Sequence, residues 1–228
     1  MKTLLTTTML VLGMAAASAA QDANARIRVV HASPDAPHVD VWVDGARVLS
    51  NLPYREYSEY LSLPAKGYDI RVTPSGSTTV VLQASPVLAA GKDYTVLAVG
   101  RVSGGSQPLS VLLLTDENNV EPAPGNVKMR VVHGAPGAPD VDVYVTTPYE
   151  ALDAKTPVLS GVPFKAASGY LTVPVQMYQA RVAVAGTKTI AIDTGRLPTW
   201  SGAVRTIVAV DAVGGGAPFD VIILPDRN

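Results

Sequence analysis

The chain has 228 residues, of which 47% are hydrophobic and 16% charged, and 18 Lys plus Arg against 19 Asp plus Glu leave a formal net charge of −1. That balance excludes a general nucleic-acid binder, which needs a basic surface to release counterions from phosphates, and the apolar fraction excludes a disordered chain. Cysteine is absent, which removes disulfide scaffolds, thiolate metal sites, cysteine nucleophiles and lipidated cysteine anchors.

Residues 1–20 read as a secretory signal. Lys2 is a short positive region, Leu4 to Met14 an apolar core, and Ala15 to Ala20 a run of small residues that allows cleavage after Ala19 or Ala20. The apolar run falls short of the roughly 20 residues that span a bilayer, and no second stretch of that length follows. The mature chain is therefore expected to be exported, to the periplasm, cell surface or extracellular space, without a transmembrane segment.

The chain is then written twice. The stretch from Arg28 through His31, Pro34, Pro37, Val39, Asp40 and Trp42 to Val43 reappears from Arg130 through His133, Pro136, Pro139, Val141, Asp142 and Tyr144 to Val145, at an offset of 102. After an insertion near Thr147 to Lys155 the offset becomes 110, and Tyr60, Tyr68 and Arg71 match Tyr170, Tyr178 and Arg181. A period this long is a small domain, not a solenoid unit. The expected organisation is a signal at 1–20, a first domain at 26–115, a linker at 116–126 and a second domain at 127–228. The linker, DENNVEPAPGN, is polar, carries Pro122 and Pro124, and has no apolar period.

Each repeat reads as short strands. Val39, Val41 and Val43 alternate with Asp40 and Trp42, the period of a half-buried strand, and Asp44-Gly45 after them predicts a two-residue hairpin turn. Further strands are predicted at 57–63, 68–73, 78–83, 94–100 and 109–115, with turns at Pro64 to Gly67, Pro74 to Gly76, Ala90 to Asp93 and Gly104-Gly105. The runs 206–210 and 221–224 are continuously apolar, as in central strands. With 19 Gly and 18 Pro and no helical period after the signal, the expected fold is all-β, with two tandem immunoglobulin-like β-sandwich domains.

The repeated R-V-V-H-x-x-P-x-x-P-x-V-D-V-[WY]-V motif resembles that of a bacterial secreted family, domain of unknown function 4397. Members carry a motif similar to H-A-S-P-D-A-P-x-V-D-V-Y-V-D-G, which His31 to Gly45 fit closely. The second copy departs from it, with Gly137 in place of Asp35 and Thr146-Thr147 in place of Asp44-Gly45. The resemblance implies two tandem copies of an extracytoplasmic β-sandwich module, and it implies no reaction.

Several residues could carry chemistry. His31, Asp35, His38 and Asp40 are candidates for a transition-metal site, which needs three or four converging ligands. The carboxylates Asp35, Asp40 and Asp44 could instead serve a structural calcium. Against these stands a structural role, in which His31 and His133 use a ring nitrogen to hold the Pro-rich loop that follows and the aspartates bond loop amides. No G-x-S-x-G elbow occurs, and Gly104-Gly105 and Gly214 to Gly216 lack the Lys-Ser/Thr of a phosphate loop. No catalytic or cofactor-binding residue is nominated, and no cofactor is expected. Tyr54, Tyr57 and Tyr60, with Trp42 and its equivalent Tyr144, are candidates for a binding surface, or for rings that cap the core. The expected function is a non-enzymatic envelope module, an adhesion, scaffold or surface-layer accessory that binds another envelope protein or a cell-wall glycan. The alternative is a metal-binding protein or metal-dependent enzyme centred on the His31/Asp35/His38 loop.

Overall fold

The computed structural model describes residues 23–227; the expected signal segment and its cleavage site lie outside the described residues. The first repeat comprises β1 (Asn24–Ala32), β2 (Val39–Val43), β3 (Ala46–Leu52), β4 (Leu61–Pro64), β5 (Ile70–Pro74), β6 (Leu82–Ala84), β7 (Asp93–Val99) and β8 (Ser110–Asp116). The second comprises β9 (Asn126–His133), β10 (Val141–Thr146), β11 (Leu159–Val162), β12 (Leu171–Pro174), β13 (Gln179–Val184), β14 (Ile190–Asp193), β15 (Val204–Val210) and β16 (Asp220–Arg227). Among the described residues there is no helix, and so none long and apolar enough to cross a membrane.

Each repeat is a sandwich of two four-stranded sheets, ordered β4-β1-β7-β8 and β3-β2-β5-β6 in the first and β12-β9-β15-β16 and β11-β10-β13-β14 in the second. β1 pairs with β7, and β9 with β15, in parallel. The valines of β2 form the first core with Ile27, Val29, Ile70, Val72 and Val96, as their alternation requires. Asp44 and Gly45 both have positive φ, 49° and 82°, the geometry of a type I′ hairpin turn. β3 was not predicted. It is an edge strand with mostly exposed or half-exposed residues, so burial imposes no apolar period on it. Tyr57 begins no strand and makes a single bridge with Val30.

The repeats are joined by more than their connection. The odd residues Ile27 and Val29 of β1 enter the first sandwich core. The even residues Val30 and Ala32 pack with Leu97, Val99, Val132, Val208, Val210, Ile222 and Leu224 in a third apolar layer, made by the inner sheets of both repeats. Strands β1, β7, β9 and β15 are thus buried on two faces, which accounts for the continuous apolar run at 206–210.

Beside that layer lies a polar one with approximate two-fold symmetry. Arg28 of β1 is ion-paired with Asp226 of β16 and donates to Thr95 Oγ1 at 2.8 Å. Arg130 of β9 is ion-paired with Asp116 of β8 at 2.5 Å and donates to Thr206 Oγ1 at 3.0 Å. The hydroxyls of Tyr60 and Tyr170 each donate at 2.8 Å, to Asp116 and Asp226 respectively. Asp116, counted with the linker from its polar neighbours, is in fact the buried last residue of β8; a carboxylate there is stable because Arg130, Thr95 and Tyr60 surround it.

Candidate functional site

The motif residues that could ligate a metal are engaged separately. His31 Nε2 donates to the Pro37 carbonyl at 3.0 Å, and His133 Nε2 to the Pro139 carbonyl at 3.0 Å. A carbonyl can only accept, so Nε2 carries the proton and the neutral ring is satisfied. Burial lowers the pKa of both rings below 6.5, outweighing the carbonyl bond that would raise it. Each ring clamps the Pro-rich loop after its strand.

Asp35 accepts from the Val102 and Ser103 amides at 2.8 and 2.9 Å. His38 Nδ1 lies 3.0 Å from Asn51 Oδ1. Asp40 accepts from the Asn51 amide at 2.8 Å and the Ser75 hydroxyl at 3.0 Å, and the Asn51 bond, first among its donors, holds its pKa below 3.8. Asp142 accepts from the Gly161 and Gly186 amides, at 2.8 and 2.9 Å. Among the described residues no three His, Asp or Glu side chains converge on a point.

The difference between the two motif copies has a steric cause. Asp211 at the end of β15 is fully buried and accepts from the Gly137 and Gly216 amides at 3.1 and 2.7 Å, while Arg101 of the first repeat reaches it at 3.3 Å. A Cβ on Gly137 would lie 2.6 Å from the Asp211 carboxylate. The loop carboxylate is supplied by Asp35 in one repeat and by Asp211 in the other.

The candidate binding rings are dispersed. Tyr54 and Tyr57 pack against the layer between repeats. The Tyr54 hydroxyl donates to the Asp211 carbonyl at 2.9 Å, and burial pushes its pKa up to about 12. Tyr60 lies under the Arg28 guanidinium, 4.8 Å from its ring centroid. These three tyrosines belong to the junction of the repeats instead of a free surface, because the sister repeat covers that side of the inner sheet.

Trp42 is different. Opposite the valines of β2, it faces away from the core, and its Nε1 donates to Thr73 Oγ1 at 3.2 Å. With Gly45, Arg71, Thr73, Thr78 and Val80 it lines an open groove of about 190 Å³ on the outer sheet. Arg71 and Thr78 carry no signal in the sequence beyond standing opposite Ile70 or beside the Ser-Thr turn, and were not nominated. Trp200, also not nominated, lines a second open groove with Met129, Leu197, Ile207 and Ile223, and Arg205 lies 4.3 Å over its ring.

The fold and these surfaces define a tandem β-sandwich protein whose accessible side-chain chemistry lies on sheet faces. The chain belongs to the family described as Domain of unknown function (DUF4397), whose profile matches residues 25–144. That span takes in the first repeat and the second copy of the motif as far as Tyr144. No curated protein matches the chain. Among solved structures, it is similar to a leucine-rich repeat protein from Bacteroides thetaiotaomicron, with 14% identity and a TM-score of 0.22, over 87% of this chain and 27% of that one; the chain spans about a quarter of that protein's length. It is also similar to CBMbc, a family CBM26 module from Eubacterium rectale Amy13K solved in complex with maltoheptaose, with 11% identity and a TM-score of 0.25, over 90% of this chain and 98% of that one.

Proposed function

We propose that the protein is an exported, non-enzymatic module of the cell envelope that works by surface contact, binding another envelope protein or a cell-wall glycan. The observation that carries this reading is where its polar chemistry is spent. Arg28, Arg130, Asp116, Asp226, Asp211, His31 and His133 are buried and bonded to other groups of the chain, which suits a rigid body. The groove beside Trp42 instead leaves an aromatic ring, a guanidinium and the Thr78 hydroxyl accessible to a ligand; tryptophan and arginine are the residue types enriched at recognition hot spots.

The shared layer between repeats supports presentation of the two outer sheets as parts of one unit. Export rests on the signal-like segment 1–20.

The test has two arms. Fractionation of the producing cell, with mass spectrometry of the mature N-terminus, should place the protein outside the cytoplasm and begin it at Ala20 or Gln21. Purified mature protein should be retained on envelope fractions, and Trp42→Ala should abolish retention while leaving the folded spectrum intact. Retention unchanged by Trp42→Ala removes the groove from the function.

A further inference from the structure

The second repeat shows what the groove beside Trp42 can hold. Trp42 pairs in register with Arg71, and Asp40 with Thr73; Tyr144 pairs with Arg181, and Asp142 with Ala183. The two outer sheets therefore present the same positions. In the second repeat the insertion near Thr147 to Lys155 folds over them. Leu152, 7% exposed, packs on Tyr144 and Ala183, which are 2% and 0% exposed. Arg181 donates to the Glu150 carbonyl at 2.6 Å and to Thr146 Oγ1 at 2.7 Å, and Gln179 Oε1 accepts from the Tyr149 amide at 2.6 Å.

The first repeat has the surface without the cover. Where the insertion would start it has only the Asp44-Gly45 turn. Arg71, the counterpart of Arg181, is paired with Asp69 at 2.6 Å but its side chain is 46% exposed.

We propose that the Trp42 groove docks a polypeptide loop from a partner, one that inserts a leucine-like side chain beside Trp42 and offers a backbone carbonyl to Arg71, as residues 147–155 do within the second repeat. This rests on the contact-module reading and names its site and ligand class. Charge complementarity agrees. Arg71 lines the groove and Arg47 stands at the Trp42 ring, both on half-exposed side chains ion-paired with Asp69 and Asp40; a guanidinium carries five donors and no acceptor, so each has further donors for an acceptor on the occupant, as Arg181 has for the Glu150 carbonyl. A polypeptide is favoured over a sugar because the segment that covers the equivalent surface is itself polypeptide, with Leu152 on Tyr144, and because Arg47, 5.7 Å over the Trp42 ring, already occupies one of the two faces on which a pyranose could stack.

The test uses the full mature chain carrying Trp200→Phe, which leaves Trp42 as the sole tryptophan of the two. A synthetic peptide of residues 146–156 of this chain is titrated to roughly 10 mM, above the millimolar effective concentration typical of a short tether, while Trp42 fluorescence is followed. The expected result is a saturable change, weakened about tenfold or more when the leucine of the peptide is replaced by Asp or the protein carries Arg71→Gln, as for loss of an anchor residue. Val80→Asp, at another exposed position of the groove, should weaken binding as well and covers a misfolded Arg71 variant.

No saturation, or equal binding by Arg71→Gln and Val80→Asp, overturns the proposal. Soluble cell-wall glycan fragments that saturate the Trp42 signal where the peptide does not also overturn it, and leave the contact-module reading standing. The contact-module reading fails separately, if the parent protein is not retained on envelope fractions at all.

Discussion

The guanidinium of Arg28, in the first strand, is ion-paired with the carboxylate of Asp226, 198 positions later in the last, and both side chains are essentially inaccessible to water at 1% and 0% exposure. The pair closes the chain on itself. Its two-fold counterpart, Arg130 with Asp116, does the same between the second repeat and the end of the first. Each carboxylate also accepts from a threonine and a tyrosine, so removing one partner strands a buried charge.

Asp226→Ala is therefore expected to cost about 3–5 kcal/mol, the usual penalty for breaking a buried pair from one side. The double variant Arg28→Met/Asp226→Leu should recover most of that loss, because no unpaired charge remains. Urea denaturation measures both. In the parent protein the two repeats should unfold in one transition, since they share an apolar layer; two resolved transitions would show that the layer does not couple them.

The histidines should make stability depend on pH. The folded pKa of His31 and of His133 lies below the unfolded value of 6.5 because burial disfavours the charged ring. The unfolded chain then binds more protons as pH falls. The stabilisation is complete above 6.5 and is lost as pH drops from there toward the folded values. Asp35, Asp40 and Asp44, also depressed, lose their contributions only near and below 3.8, so the window between about pH 5 and 6.5 belongs to imidazole. The urea midpoint should fall across that window, and His31→Gln/His133→Gln should flatten the fall. A parent midpoint that does not move there contradicts the assignment.

The second sandwich is less well filled than the first. It contains an apolar cavity of about 60 Å³ lined by Ala180, Val143, Tyr178, Leu197 and Ile207 among others. At the equivalent position the first repeat has Ile70, a core residue. Ala180→Val adds two methyl groups at that wall and should stabilise the protein by about 0.5–2 kcal/mol, the common yield of cavity filling. A lower melting temperature would mean that the side chain meets the opposite wall.

Gly137 should not tolerate a side chain. A Cβ there would lie 2.6 Å from Asp211 Oδ2, 2.7 Å from Arg101 Nη2 and 2.9 Å from the Gly216 Cα. Gly137→Ala should cost about 1–3 kcal/mol through overpacking. Gly169→Ala, whose Cβ would meet nothing within 4 Å, serves as the control and should be neutral or slightly stabilising. Equal melting temperatures for the two variants would contradict this account.

Much of this was legible before the structure. The repeat, the Asp44-Gly45 turn and the alternation of Val39, Val41 and Val43 are local signals, and each appears where it was expected. The loop-holding role of His31 and His133 was legible too, since a histidine at a strand end before two prolines has nearby carbonyls to bond. The tyrosines were harder. A spacing of three could not tell a platform from a junction, and Tyr54 and Tyr60 find their partners, Asp211 and Asp116, far along the chain.

Local period and repetition were thus sufficient to establish from sequence an all-β chain built on one unit used twice, because strand alternation and hairpin turns depend on near neighbours. What covers the second face of β1 and β9 was settled by tertiary packing alone. Alternation shows that a strand has two unlike sides, but Arg28 reads as a surface residue until Asp226 is brought beside it. The same holds for Trp42 and Tyr144, equivalent in sequence, one open and one covered, because the insertion that separates them acts only once it has folded across the sheet.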